Sequence, residues 1–133
     1  MATSPDEDAV TYLDANCSLV KDTDLFRGKL EPASTDIPHQ CVFVVASGGP
    51  PPLSYMSSTI KFRYSAIQIF TRSNPRDYPA GLTLARLVRD TLHNAAVSGY
   101  VDVRCMESEP IYVEEDENGD HIWSSNFEFW HEQ

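Results

Sequence analysis

The chain has no lysine or arginine after Arg104, although nine aspartates and glutamates follow it. Across all 133 residues the formal net charge is −10. It is unevenly distributed, with a net −5 over residues 1–40 and +4 over residues 41–105. Tight nonspecific DNA binding needs a clustered basic face, so this balance argues against it. Segments of opposite sign instead suit contacts between copies of one chain. An acidic surface that only maintains solubility remains the alternative.

The sequence also lacks long apolar runs and has few cysteines. The longest wholly apolar run is Cys41–Ala46, which is far too short to cross a membrane. The N-terminus is acidic and carries no export signal, so we expect a protein that does not enter membranes. Cys17, Cys41 and Cys105 form an odd set without CxxC spacing. This pattern predicts reduced thiols and no disulfide framework.

No pattern of a catalytic or cofactor site stands out. His39 and Cys41 are two residues apart, which on a strand places both on one face and makes a Cys–His pair geometrically feasible. Cys41 opens the most apolar stretch, however, and a thiol buried there is inert. The histidines and cysteines lack zinc-site spacing, and prolines follow Gly48-Gly49 where a phosphate loop needs N–H groups. We predict no catalytic residue, no metal and no cofactor; a small monomeric Cys/His hydrolase is the less favoured alternative.

The stretch "DENGDHIWSSNFEFW", Asp116–Trp130, suggests a calcium loop, a turn between two strands or part of a functional charged surface. A calcium loop aligned from Glu114 places Ser125 where the bidentate glutamate must stand, so the metal reading fails. A three-residue loop at Glu117–Gly119, with a type I turn and left-handed Gly119, pairs Asp116 with Asp120 and Val113 with Trp123. This register predicts a hairpin with one buried apolar face formed by Ile111, Val113, Trp123, Phe127 and Phe129.

Periodicity predicts the remaining elements. Ser4 is the expected cap of an amphipathic helix from Pro5 to about Cys17, and a second helix is expected over Asp77–Ala96. Strands are predicted at residues 24–30, 41–46, 59–72 and 100–105. The third carries either a bulge near Ser65-Ala66 or apolar residues on both faces. The predicted fold is a single α+β domain over residues 1–133, with residues 1–4 flexible. It has a mixed or antiparallel β-sheet, two α-helices on one face and a C-terminal β-hairpin.

The connector "GGPPPLSYMSS" at residues 48–58 is long for a compact domain. Long loops are usually functional or disordered, and Leu53, Tyr55 and Met56 are of residue types found at protein interfaces. The sequence therefore leaves open an ordinary linker or a contact surface.

Several segments of the chain follow one another in the order found in one protein family. "PHQCVFVVASGGPPP", "AIQIFTRS" and "GLTLARLVRDTL" precede an acidic hairpin containing "DENG" and "NFEF". Over roughly residues 24–130 this succession resembles the minor capsid or tail terminator proteins of long-tailed bacteriophages. The resemblance implies an α+β virion protein that forms a homo-hexameric ring at the head-proximal end of the tail. The expected partners are its own copies, the tail tube protein and a head completion or connector protein, with assembly in the host cytoplasm. Another head–tail adaptor or minor capsid protein is the alternative.

A ring that conducts DNA without specific binding benefits from a wall that repels phosphate. The acidic hairpin supplies candidates for this wall: Glu114, Glu115, Asp116, Glu117 and Asp120. A basic-to-acidic contact between subunits, or a contact with the tube, gives a second set of candidates: Pro50, Pro51, Leu53, Tyr55, Met56, Arg76, Arg86 and Arg89.

Overall fold

The computed structural model describes residues 4–21, 23–28, 40–48, 53–54, 61–115 and 119–132. The two helices are α1, Pro5–Asn16, and α2, Tyr78–Leu92. The strands are β1 Leu25–Arg27, β2 Cys41–Gly48, β3 Leu53–Ser54, β4 Lys61–Ser73, β5 Asp102–Cys105, β6 Ile111–Glu115 and β7 His121–Glu132. The first three residues of the segment predicted to be flexible lie outside the described residues.

Two long antiparallel strands, β4 and β7, form the centre of the sheet. Their register runs without a break from Phe62 opposite Glu132 to Ser73 opposite His121. On its other edge, β4 pairs with β2 and β3. On its other edge, β7 pairs with β5 and β6. Only β1 is parallel to its neighbour, β2; the other described pairs are antiparallel. The sheet is therefore mixed, and the predicted α+β class is confirmed.

The core lies between one face of the sheet and the two helices. The amphipathic stripes predicted for the helices are buried there, with Ala9, Val10 and Leu13 from α1 and Leu84, Ala85, Val88 and Leu92 from α2. Alternate residues of the central strands complete it: Val42, Val44, Ile67, Ile69, Phe127 and Phe129. Because side chains alternate between the faces of a strand, this packing fixes which residues face outward.

The two helices differ in how their N-termini are capped. Asp77 caps α2 by accepting a hydrogen bond from the Ala80 N–H at 3.4 Å. Ser4 stands at the cap position of α1, but its hydroxyl makes no capping bond and instead accepts from Arg27 Nη2 at 3.0 Å. Helix α2 ends before the predicted Ala96, because Asn94 adopts a left-handed conformation with φ 58°. The Asn94 N–H donates to the Val103 carbonyl at 2.7 Å and ties the chain to β5.

The change of apolar phase inside β4 does not come from a bulge in that strand, so this alternative was wrong. The register of β4 with β7 is continuous, and the irregularity lies in β2, between Ala46 and Gly48. Ile67 and Ile69 pack under the helices. Phe70 lies on the second face and stacks on Phe43 with ring centroids 5.1 Å apart. Both faces of β4 therefore carry apolar side chains, as the other alternative held.

The C-terminal hairpin is present, with one change of register. Gly119 has φ 82°, as its predicted left-handed conformation requires, and Glu115 lies opposite His121 in the expected register. A shift between Tyr112 and Glu114 then places Tyr112, not Val113, opposite Trp123. Trp123, Phe127 and Phe129 are buried as predicted. The predicted burial of Ile111 and Val113 was wrong, since each is 46% exposed. The turn residues 116–118 lie outside the described residues.

Candidate assembly surfaces

The side chains of the described residues give no support to a metal site or to the Cys–His pair. They contain no group of three or more His, Cys, Asp or Glu side chains arranged to hold a metal ion. Cys41 is fully buried, and this burial raises the pKa of its thiol to about 11. A neutral, inaccessible thiol is a poor nucleophile. His39 lies outside the described residues, so the structure gives the Cys–His pair no support.

Strand β6 forms an exposed edge, which we call the β6 flank, Ile111–Glu115. All five residues are exposed, and within the described chain the strand pairs only with β7. Three of them are large apolar residues, Ile111, Tyr112 and Val113, and two are glutamates, Glu114 and Glu115. An edge with unpaired backbone groups and exposed apolar side chains is a ready site for protein contact.

Aromatic packing holds the β6 flank rigidly against α2. Tyr112 and Trp123 contact each other with ring centroids 5.1 Å apart, and Tyr78 packs on Trp123 at 4.7 Å. The Tyr112 hydroxyl is hydrogen-bonded to His121 Nδ1 at 2.9 Å. The flank is therefore preorganised, because its anchoring side chains are fixed from within the chain.

Two arginines fasten the segment that leads into β6. Arg86 forms a bidentate pair with Glu109, with N–O distances of 2.9 and 3.1 Å. Arg89 Nε donates to the Glu107 carbonyl at 3.0 Å. Both arginines were candidates for a basic face opposite the acidic residues of a neighbour. The structure places them on the same side of α2 as the acidic β6 flank of their own chain.

The opposite side of α2 carries an open apolar groove, which we call the α2 groove. It has a volume of about 350 Å³ and is lined by Gln40, Pro79, Ala80, Thr83, Leu84 and Leu87. Leu87 is 40% exposed. It lies outside the buried apolar stripe of the helix, where a polar residue would be expected. Sequence reasoning missed this groove, and the off-stripe Leu87 was the available signal for it.

Gln40 of the α2 groove and Glu114 of the β6 flank lie at one level of the sheet, with β4 and β7 between them. Cys41, next to Gln40, pairs with Arg72. Arg72 pairs with Ile122, and Ile122 with Glu114 of the β6 flank. A head-to-tail contact between copies requires two different surfaces on one subunit.

The candidate channel residues fall into three groups. Glu114 and Glu115 are exposed, while Asp116 and Glu117 lie outside the described residues. Asp120 is fully buried, and its Oδ2 lies 3.8 Å from Nε of the equally buried Arg72. A carboxylate enclosed in this way has a structural role, which removes Asp120 from the proposed channel wall.

The structure describes only some of the remaining interface candidates. Arg76 is exposed and has φ 69°, in the turn that precedes α2. Its neighbour Pro75 lies beside Gly119, so Arg76 is near the start of β7. Leu53 belongs to β3, which pairs with the start of β4. Pro50, Pro51, Tyr55 and Met56 lie outside the described residues.

These features define an α+β chain whose described surface includes an exposed strand edge and an apolar groove. Neither helix in the described part of the chain has the length and apolar character needed to span a membrane. Residues 12–132 match the family described as bacteriophage tail terminator protein, and the chain belongs to that family. A comparison with curated proteins gave no match. The family is a structural one of the phage tail, so the chain is a virion component, and the resemblance found in the sequence is confirmed.

Proposed function

We propose that this protein forms a ring, most simply a hexamer, that caps the phage tail tube at its head-proximal end. One observation supports the proposal: each subunit presents two different exposed surfaces, the β6 flank and the α2 groove, with β4 and β7 between them. A heterologous contact between two such surfaces generates a ring when the repeated rotation closes. Membership of the tail terminator family supplies the setting.

The proposed partners follow from this position. One ring face meets the tail tube protein and the other meets a head completion or connector protein, after assembly in the host cytoplasm. Arg76 and the loop at Pro50–Met56 are proposed contacts with the neighbouring subunit or the tube. Charge reversal in Arg76→Glu should weaken tube binding, whereas Lys21→Glu, at another exposed cation, should leave it unchanged. Co-sedimentation with purified tail tubes measures both.

The proposed channel wall contains Glu114, Glu115 and the acidic turn that follows them. Negative charge lining the lumen repels the phosphates of the passing duplex, so DNA slides without specific binding. Neutralising Glu114→Gln and Glu115→Gln together should preserve the ring and slow DNA ejection. The matched control neutralises two exposed acids elsewhere, Asp14→Asn and Asp90→Asn. Equal ejection rates for the two double variants would contradict the channel assignment.

The ring itself is tested by mass. Native mass spectrometry of the purified protein, alone and after addition of tail tubes, should show a closed oligomer of one stoichiometry in at least one condition. A particle that remains monomeric in both would overturn the ring proposal. A ring that does not bind tubes would favour an adaptor elsewhere at the head–tail joint.

A further inference from the structure

We propose that the β6 flank is guarded against strand addition, so that another copy of the chain can contact its side chains but cannot extend the sheet. The guard has three parts: the bulge at Val113, the charges of Glu114 and Glu115, and Pro110 immediately before the strand. The inference concerns a surface within each subunit, so it holds whether or not the subunits form a ring.

The β6 flank needs a guard because its composition favours strand pairing. Its first three residues, Ile111, Tyr112 and Val113, are β-branched or aromatic, the types that favour strands. They are 46%, 38% and 46% exposed, and within the described chain β6 pairs only with β7. An exposed apolar edge strand is a template for pairing with another chain. Without protection, the flank would be a site of aggregation.

The bulge interrupts the edge at its middle residue. Pairing with β7 passes from Tyr112 opposite Trp123 directly to Glu114 opposite Ile122, so Val113 has no cross-strand partner. A bulge bends its strand and increases the local twist, and natural proteins use bulges to turn an edge away from incoming strands. A regular strand laid along β6 therefore loses register at Val113.

Both ends of the apolar run carry further protection. Pro110 directly precedes the strand and has no N–H to donate to an added strand. After the run, Glu114 lies opposite Ile122 and Glu115 opposite His121. Successive side chains point to opposite faces of a strand, so the two carboxylates place negative charge on both faces. Charged residues that flank an apolar strand act as gatekeepers against aggregation.

Pairing of two β6 strands gives the glutamates no favourable partner. Parallel pairing in register places each glutamate beside its own copy, and like charges placed opposite each other are unfavourable. The antiparallel pairing that centres on Val113 places Glu115 opposite Ile111 and Glu114 opposite Tyr112. It separates the like charges but sets each carboxylate against an apolar or aromatic side chain. Residues 106–120 contain no lysine or arginine, so a shifted register provides no cation either.

A guarded edge suits a protein of the tail terminator family. Strand addition is open-ended, because each added strand presents a new edge. A flank that offers apolar side chains but does not accept a strand allows contact with a neighbour without such continued growth.

Removal of the guard tests the proposal. The guard-free variant combines deletion of Val113 with Glu114→Thr and Glu115→Thr. Because Val113 has no cross-strand partner, the deletion leaves the pairs on either side in register, and threonine favours strands. At a fixed concentration, light scattering should show polymers larger than the wild-type particle, and thioflavin T fluorescence should rise at least about tenfold. A folded guard-free variant that stays as free of polymer as the wild-type protein would overturn the proposal.

Two control variants separate a guarded edge from an effect of net charge. Asp14→Asn/Asp90→Asn removes two charges at exposed positions of the helices and should not polymerise. Equal polymerisation of this control and the guard-free variant would overturn the proposal. Glu114→Lys/Glu115→Lys should stay free of polymer, because lysine protects a strand edge as well as glutamate does. Polymers of this lysine variant would also overturn it.

Thermal melts show whether each variant keeps its fold. If the deletion of Val113 unfolds the chain, Glu114→Thr/Glu115→Thr with the bulge retained decides: it should polymerise more than the wild-type protein, and no increase would overturn the proposal. The outcomes are independent of the proposed ring. A monomeric wild-type protein whose guard-free variant polymerises keeps the guarded edge and loses the ring. A wild-type ring whose guard-free variant does not polymerise keeps the ring and loses the guard.

Discussion

Tyr112 and Trp123 lie edge to face across β6 and β7, with ring centroids 5.1 Å apart and an interplanar angle of 74°. Tyr78, the first residue of α2, contacts both rings, at 5.4 and 4.7 Å. The hairpin and the start of the helix are therefore joined through one aromatic cluster. This cluster connects the two surfaces that we assign to ring assembly, because it supports the β6 flank on one side of the helix whose other side forms the α2 groove.

The cluster makes Trp123 the critical residue for stability of this region. Replacing it in Trp123→Ala should lower the free energy of unfolding by about 3–5 kcal/mol, the usual cost of emptying a buried aromatic site. Trp130→Ala should cost less, because Trp130 is only half-buried and packs on Tyr64 and Arg104 near the surface. Urea denaturation of the two variants measures the difference. Equal losses would contradict the central role of Trp123.

Gly81 marks the closest approach of α2 to the sheet. A Cβ atom at this position would lie 2.5 Å from Ser73 Oγ and 2.6 Å from Trp123 Nε1. Alanine is normally the better helix former by about 1 kcal/mol, but here overpacking should outweigh that gain. We expect Gly81→Ala to destabilise the protein by about 1–3 kcal/mol. Thr83→Ala, at an exposed position two residues further along the same helix, should be nearly neutral. A higher melting temperature for Gly81→Ala would show that the helix can move away from the sheet.

The buried pair Arg72–Asp120 should contribute to stability and not to DNA passage. Both residues are nearly inaccessible, and Asp120→Asn removes a buried negative charge that lies 3.8 Å from Nε of Arg72. Breaking such a pair typically costs about 3–5 kcal/mol, whereas Glu114→Gln at an exposed site should cost less than about 0.5 kcal/mol. Thermal and chemical denaturation compare the two. An Asp120→Asn variant as stable as Glu114→Gln would contradict the structural role.

Asp6 should make stability depend on acidic pH. Burial pushes the pKa of its carboxyl upward, but the hydrogen bond from Arg27 Nε at 2.8 Å and the charge of Arg27 outweigh it, so the pKa lies below its ordinary value. A lowered pKa in the folded state adds stability above the unfolded-state pKa of about 3.9, and this is lost as pH falls through the folded value. Asp6→Asn should therefore be destabilising at pH 7, with a penalty that shrinks on acidification. A penalty independent of pH would contradict this ion pair.

The packing of the helices on the sheet could be predicted because apolar residues recur at the spacing of a helix or a strand. Leu84, Val88 and Leu92 recur at helical spacing, and Phe127 and Phe129 alternate along a strand; all five are buried. Local patterns of this kind report which face of an element turns inward. The resemblance of ordered segments, and not any single site, identified the family.

Features that depend on pairing between distant segments were not predictable. The bulge at Val113 changes the register by one residue, and periodicity alone cannot show on which strand an extra residue sits. Asp120 was read as part of an exposed acidic run because its partner Arg72 is far away in sequence. The α2 groove exists only once Gln40 is brought beside the helix. Each of these required the three-dimensional arrangement.

Electron microscopy of tails from phage particles made with and without this protein tests the account most directly. With the protein present, tubes should have one uniform length and carry a ring of density at the head-proximal end. Without it, the account predicts uncapped tubes that continue to grow beyond that length and do not join heads. Tubes of normal length with a capped end in its absence would contradict tail termination by this chain.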